Sequence, residues 1–234
     1  MQHLYGLGTN GVSPIHVRLV CCVVSGFGLW IGAVIPFGGL VACVALVPVI
    51  LATLPSRHCA EAAFWGTAFS LAWAIPKMEW LALMGCRSGE LNTFIVGWCF
   101  VMLVLVASHA LGVVACFWLC SRRGWLCSMA LPSSWLGAEL LADVCLRSGF
   151  GLTLDPLRIV TTQLNGSPLV QCADLGGAPL VGWLVALANG LAVDAICFGK
   201  STVRSRTELR LFRVMLSLMF AAVLYGLIRP GTCQ

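Results

Sequence analysis

The chain has 234 residues, of which 59% are hydrophobic and only 10% are charged, and its formal net charge is +5. Soluble domains carry about 25% charged residues, so this composition excludes an ordinary soluble domain and is typical of a membrane protein. The 13 cysteines form no CxxC pair and no Cys/His spacing, and no P-loop or Ser-His-Asp arrangement occurs. The sequence therefore predicts no metal, no cofactor and no nucleic acid partner.

Seven long apolar stretches follow one another along the chain. Crossing a hydrocarbon core about 30 Å thick takes about 20 helical residues, and most of the stretches have that length. Because unpaired backbone groups are costly in lipid and the runs do not alternate, they indicate helices and not barrel strands. The sequence predicts an all-α fold, a polytopic integral membrane helical bundle with about seven transmembrane helices. The stretches are Leu19–Ile35, Leu40–Leu54, Ala62–Leu83, Phe94–Cys120, Trp125–Val144, Leu175–Ile196 and Leu211–Ile228.

The same pattern predicts one membrane domain over residues 19–230, between a loose leader at 1–18 and a tail at 231–234. Residues 36–39 are predicted as a tight turn, because Pro and Gly end helices. The second stretch is short enough to be re-entrant. Residues 145–168 are predicted as an outer loop that lies against the membrane, and Gly176 and Gly177 predict an irregular start for the sixth helix.

The distribution of positive charge predicts an orientation, because Lys and Arg mark the cytoplasmic loops of membrane proteins. With the N-terminus inside, nine of the 14 lysines and arginines lie on the inner side and five on the outer side. The densest run, residues 200–213, holds five of them. The sequence therefore predicts an N-terminus inside and, with seven spans, a C-terminus outside.

Polar groups within the spans mark candidate functional positions, because ionisable groups are expensive in a membrane. Trp135, Glu139 and Asp143 are four residues apart and share one helix face. They form either the polar wall of an outward-facing cavity, or a buried Glu139 paired with an arginine below an interfacial Asp143. The whole predicted rim that faces lipid or substrate consists of Trp80, Trp135, Glu139, Asp143, Gln163, Gln171, Asp174 and Asn189.

Other polar residues are explained by structural roles. Lys77 and Glu79 fit interfacial anchoring, and His109 fits a packing group better than a proton relay. Asp194 is expected at the inner interface, and Asp174 fits a helix cap as well as a rim position.

Several groups of residues keep the order and spacing of one known family. They are Pro36–Gly39 with Ala45–Pro48, Phe64–Gly66 through Trp80, Pro132 with Trp135 and Glu139, Thr162–Gln163, Pro168–Gln171, Ala173–Gly177 and Asn189–Ala192. Together they resemble the membrane domain of apolipoprotein N-acyltransferase, the last enzyme of bacterial lipoprotein maturation. The resemblance implies a multi-pass protein of the bacterial inner membrane, with membrane phospholipid and a lipoprotein substrate as partners.

The chain departs from that family pattern in several places. Ala142 stands where the family usually has arginine, and residues 149–152 replace its Gly-Phe-Pro-Trp. In the family a nitrilase-like domain follows, and the thiolate of its Glu-Lys-Cys triad passes an acyl chain from phospholipid to the lipoprotein amino group. That domain is expected to be absent here, because the given sequence ends at Gln234. No residue matches the triad, so no catalytic residue is predicted.

Three functions stay open at this point. The chain is a membrane subunit that acts with, or derives from, a nitrilase-type partner, or it is a non-catalytic membrane scaffold or lipid-binding module. A small-solute transporter has less support, because the sequence displays no inverted repeat and no charge pair in the middle of the membrane.

Overall fold

The computed structural model describes residues 14–36, 38–78, 91–151, 159–163, 167–200 and 205–229, without the side chains of 91–94, 150 and 198–200. This part of the chain is helical and contains no strand. Two 3₁₀ turns, Ile159–Gln163 and Pro168–Cys172, accompany the α-helices. The α-helices are α1 (Ile15–Val34), α2 (Gly39–Ala45), α3 (Val47–Thr53), α4 (Cys59–Lys77), α5 (Leu91–Arg123), α6 (Cys127–Phe150), α7 (Ala173–Lys200) and α8 (Arg206–Ile228).

Four segments of the described chain are long and apolar enough to cross a membrane: Ile15–Val34, Ile95–Arg123, Pro168–Cys197 and Arg206–Ile228. The predicted all-α membrane bundle is therefore confirmed. Helices α4 and α6, with 19 and 24 residues, are long enough to cross a membrane but are not among these four apolar segments. The short second stretch is a broken helix over Gly39–Thr53.

The helices pack as a ring around an apolar core. Helix α1 packs against α4, α4 against α5, α5 against α6 and α6 against α7, and the pair α2–α3 closes the ring between α7 and α1. Helix α8 lies outside the ring, against α7 and the second 3₁₀ turn. We call the end with residues 35, 36 and 38 and both 3₁₀ turns the loop-rich end. The opposite end holds the N-termini of α1, α4, α6 and α8.

The boundary between α2 and α3 is a helix break that a side chain from α7 repairs. The backbone N–H of Leu46 donates to Asn189 Oδ1 at 2.7 Å, and Asn189 Nδ2 donates to the Ala42 carbonyl at 2.8 Å. The amide of Asn189 thus stands between two groups that would bond each other in an unbroken helix. One turn later, the Val49 N–H donates to Ser25 Oγ at 2.9 Å. The break needs these partners because nothing else in hydrocarbon can satisfy its backbone groups.

A second side chain of α7 caps the N-terminus of α6. Both carboxylate oxygens of Asp194 accept a backbone N–H, from Cys127 and from Ser128, each at 2.9 Å. Acidic groups are stabilising at this end of a helix because the first N–H groups have no partner within the helix. Gly190 permits the close approach, since a Cβ there would lie 2.6 Å from the Ser128 Cα. Asp194 thus lies at the opposite end of the bundle, but its side chain is buried between helices, which the sequence pattern did not predict.

Two turns predicted from Gly and Pro are confirmed. The Gly38 N–H donates to the Ile35 carbonyl at 3.1 Å and closes the hairpin between α1 and α2. The start of α7 is irregular, with Gly176 and Gly177 outside helical geometry. Gly177 has φ 68° and ψ −171°, a conformation that essentially only glycine adopts. Pro76 stands inside α4, close to its end at Lys77.

The opposite end is fixed by a buried arginine of α1. Arg18 pairs with Glu61 of α4, donates to the Ala52 carbonyl and to Ser56 Oγ at 2.7 Å each, and lies over the Trp65 ring. These contacts join α1, α3 and α4. Burial alone would raise the pKa of Glu61, but the Arg57 N–H and the Arg18 guanidinium outweigh burial and hold that pKa below its ordinary value.

We expect Asn189→Ala to lower the free energy of unfolding by about 3 kcal/mol, because it leaves the Leu46 N–H and the Ala42 carbonyl unsatisfied. Thermal unfolding in detergent measures the loss. Ser70→Ala is the matched control, since the Ser70 hydroxyl is equally buried but bonds only within its own helix. Equal losses in the two variants would contradict the bridging role of Asn189.

The Arg18–Glu61 pair gives a pH-dependent prediction. A lowered pKa means that Glu61 contributes stability above the unfolded-state pKa of about 4.3, and that the contribution is lost as pH falls through the lower folded value. Glu61→Gln should therefore unfold at a lower temperature than the parent at neutral pH. The difference in unfolding temperature between parent and variant should shrink on acidification, because Glu61 then becomes protonated. The variant lacks this ionisable group and provides the baseline for other effects of pH. A difference independent of pH would contradict the ion pair.

Candidate functional site

Glu139 is the centre of a buried polar group at the loop-rich end. Its side chain is 1% exposed, and its Oε1 accepts from Trp135 Nε1 at 3.0 Å and from the Ile159 backbone N–H at 2.9 Å. The four-residue spacing of Trp135 and Glu139 on α6 makes the first bond possible. Helix α7 lies behind the carboxylate at Gly182, where an added Cβ would be 3.4 Å from Oε2.

Lys77, at the end of α4, brings a positive charge to this carboxylate. Its side chain is 8% exposed, its ammonium donates to Thr161 Oγ1 at 3.2 Å and lies 4.8 Å from the Trp73 ring centroid, and its charge is attracted to Glu139. Interfacial anchoring is therefore the wrong interpretation of Lys77. One interpretation of the sequence paired a buried Glu139 with an arginine. In the structure the cationic partner of Glu139 is instead Lys77, which comes from another helix. Ala142, where the family usually has arginine, is fully buried.

An aromatic layer lies beside the charges. The His109 ring packs between Trp73 and Trp135, with centroid distances of 4.5 and 5.0 Å. His109 Nδ1 lies 2.8 Å from the Leu105 carbonyl, which only accepts, so Nδ1 carries the proton. We call Trp73, Lys77, His109, Trp135, Glu139 and Thr161 the buried polar cluster. It links α4, α5, α6 and the first 3₁₀ turn.

The first 3₁₀ turn is held inside the bundle by three such bonds. Ile159 bonds to Glu139 of α6, Thr161 to Lys77 of α4, and Gln163 Nε2 to the Gly39 carbonyl of α2 at 3.1 Å. Four of its five residues are buried. The expected loop on the membrane surface is therefore wrong for these residues, because the turn fills space between helices.

The predicted rim residues do not form one surface. Trp135, Glu139 and Gln163 come together around the first 3₁₀ turn. Asn189 lies seven residues further along α7 than Gly182, about 10 Å along the axis, and serves the break between α2 and α3. Trp80 lies outside the described residues.

The other three rim residues lie nearer the surface of the loop-rich end. Asp143 pairs with the exposed Arg147 one turn away on α6, at 2.9 Å. Asp174 pairs with Arg229 at the end of α8, at 2.8 Å, and so joins α7 to α8. Gln171 is half-buried, with Oε1 screened from solvent.

Sequence reasoning missed part of the buried polar cluster. A lysine at the end of an apolar helix, four residues after Trp73, is the signal that a search for buried cations would have used. Thr161 carries no such signal, because a threonine near a predicted loop is common. His109 was identified as a packing residue, but its aromatic neighbours come from α4 and α6 and leave no local pattern.

The long apolar helices and the charges buried among them define the class first: this is an integral membrane protein of the all-α kind. The family follows from the sequence. The family model of the apolipoprotein N-acyltransferase N-terminal domain matches residues 21–191, well over half of the chain. The chain belongs to this family, as the resemblance predicted. No curated protein and no solved structure matches it.

The matched region contains the whole buried polar cluster. It runs from α1 to Leu191 of α7 and so includes the break repaired by Asn189 and the turn held by Glu139. Asp194 and α8 lie beyond it.

We expect Glu139→Gln to lower the free energy of unfolding by about 3 kcal/mol, because the shape is kept while Lys77 loses its opposing charge. The first 3₁₀ turn should also open more often, which hydrogen exchange at the Ile159 amide would detect. Lys77→Met should cost a similar amount, and the double variant less than the sum. Asp174→Asn is the control, because its partly exposed pair with Arg229 contributes little. Additive costs would contradict the coupling of Lys77 and Glu139.

Proposed function

We propose that residues 19–230 are the membrane domain of an apolipoprotein N-acyltransferase of the bacterial inner membrane. The domain would hold phospholipid and lipoprotein acyl chains at its loop-rich end, while a nitrilase-type catalytic domain, on this or another polypeptide, transfers the acyl chain. The observation that carries the proposal is the family match over residues 21–191. The four long apolar helices support the placement in a membrane.

In this proposal the buried polar cluster is a positioning device and not a reaction centre. Its bonds fix the first 3₁₀ turn against α4 and α6, and the bond of Gln163 to the Gly39 carbonyl fixes the turn against α2. The turn lies at the loop-rich end, so its placement helps to define the surface of that end. Asp143, Gln171 and Asp174 would then form the outer rim, and Trp135, Glu139 and Gln163 would support it from below.

We place the loop-rich end on the periplasmic side, in a multi-pass arrangement with the N-terminus inside. The charges of the described residues support this orientation. At the loop-rich end Lys77, Arg147 and Arg229 each have a carboxylate partner. The opposite end carries exposed arginines in excess, as cytoplasmic surfaces do.

A non-catalytic scaffold or lipid-binding module is the second candidate. One observation favours it: the most buried rim residues, Glu139, Gln163 and Asn189, each form at least one hydrogen bond with a backbone group of the protein itself. Side chains used in this way maintain a fold and are not available to a substrate. The two candidates differ in whether a catalytic domain depends on this chain.

Complementation of a bacterial strain depleted of its apolipoprotein N-acyltransferase separates them. We expect no growth with this chain alone, no growth with a nitrilase-type domain alone, and growth when the two are fused after residue 229. The readout is growth together with N-acylation of a reporter lipoprotein. Growth with this chain alone would place catalysis within it, and growth with the nitrilase-type domain alone would remove the need for it.

A further inference from the structure

Three arginines form a ladder at the start of α8. Arg206, Arg210 and Arg213 are spaced i, i+4 and i+7, so they project from one face of the helix. All three are exposed. A capping box formed by Ser205 and Glu208 fixes the first turn of α8 and therefore the register of the ladder. The arginine ladder is defined by these three residues.

The ladder has no carboxylate opposite it among the described residues. Glu208, on the same helix turn, is engaged with the N-terminal cap. The other two carboxylates of the opposite end are also occupied, since Glu61 pairs with Arg18 and Asp194 caps α6. The positive charge of the ladder is thus left for a partner outside the described chain.

The position of the ladder along α8 indicates where that partner lies. Exposed apolar side chains begin directly after it, with Val214, Leu216 and Leu218, so α8 enters hydrocarbon at this point. The ladder spans seven residues, about 10 Å along the helix axis. That length is comparable to one headgroup layer of a bilayer, about 5–7 Å thick, and arginine side chains extend along a helix to reach it.

We infer that the arginine ladder binds the phosphate groups of anionic phospholipids in the leaflet at the opposite end of the bundle. A guanidinium donates two parallel hydrogen bonds to phosphate oxygens, and each basic residue near an anionic membrane surface strengthens binding. Because the ladder runs along the axis of a helix that enters the membrane, its three guanidinium groups lie at successive depths of one headgroup layer. The site is distinct from the buried polar cluster and does not depend on the proposed acyltransferase role.

Nanodiscs of neutral phosphatidylcholine, with and without added phosphatidylglycerol, provide the test. The intact chain is reconstituted in both kinds of nanodisc. We then measure its melting temperature, and we identify the lipid that it retains by native mass spectrometry. The ladder variant is Arg206→Gln/Arg210→Gln/Arg213→Gln. The control is Arg57→Gln/Arg122→Gln/Arg123→Gln, which removes the same charge from exposed arginines of the same end.

We expect phosphatidylglycerol to raise the melting temperature of the parent and of the control, and to be retained by both. The ladder variant should lose both effects, with an apparent affinity weaker by roughly 100-fold at low salt. Equal behaviour of the ladder and control variants would overturn the inference, because surface charge in general would then explain it. A matching shift with inorganic phosphate in neutral nanodiscs would overturn the lipid as ligand. If the triple variant has a lower melting temperature than the parent in neutral nanodiscs, the single variant Arg210→Gln replaces it. Unchanged retention of phosphatidylglycerol by this single variant would refute the inference.

Discussion

Hydrocarbon offers no partner to a backbone N–H or carbonyl, and this constraint explains the buried polar residues of the bundle. The helical path is interrupted between α2 and α3, before α6 and around the first 3₁₀ turn. Asn189, Asp194 and Glu139 each supply the missing partner at one of these places. These three expensive polar groups in the core are thus accounted for by irregular backbone.

Charge divides the two ends of the molecule. The described cations of the loop-rich end have carboxylate partners, and the Lys77–Glu139 attraction is buried together with the turn that it helps to hold. At the opposite end Arg18 is buried and paired with Glu61, while the other described arginines of that end are exposed to solvent. Under the proposed function, the end whose charges are paired within the protein would be the surface that a catalytic domain approaches, and the cationic end would contact lipid.

The sequence predicted local features well and distant partners poorly. The apolar runs predicted the helices, and Gly and Pro predicted the turn at Gly38 and the irregular start of α7. The four-residue spacing of Trp135 and Glu139 predicted a shared helix face, and the two side chains are hydrogen-bonded. The burial of Lys77 and Asp194 was missed because burial depends on helices far away in the chain, which periodicity does not reveal. For the same reason the sequence did not reveal that residues 159–163 lie inside the bundle. A short turn has a similar sequence whether it lies on the surface or in the core.

The repair of α2–α3 by Asn189 has a consequence for biogenesis. The ribosome delivers residues 42–46 almost 150 positions before the amide that completes them. During that interval the early hairpin is an unfinished element, whose open carbonyl and amide must be sheltered by the insertion machinery, by water at a lateral gate, or by a temporary fold. The final geometry of the break between α2 and α3 is therefore completed only when the α7 segment arrives.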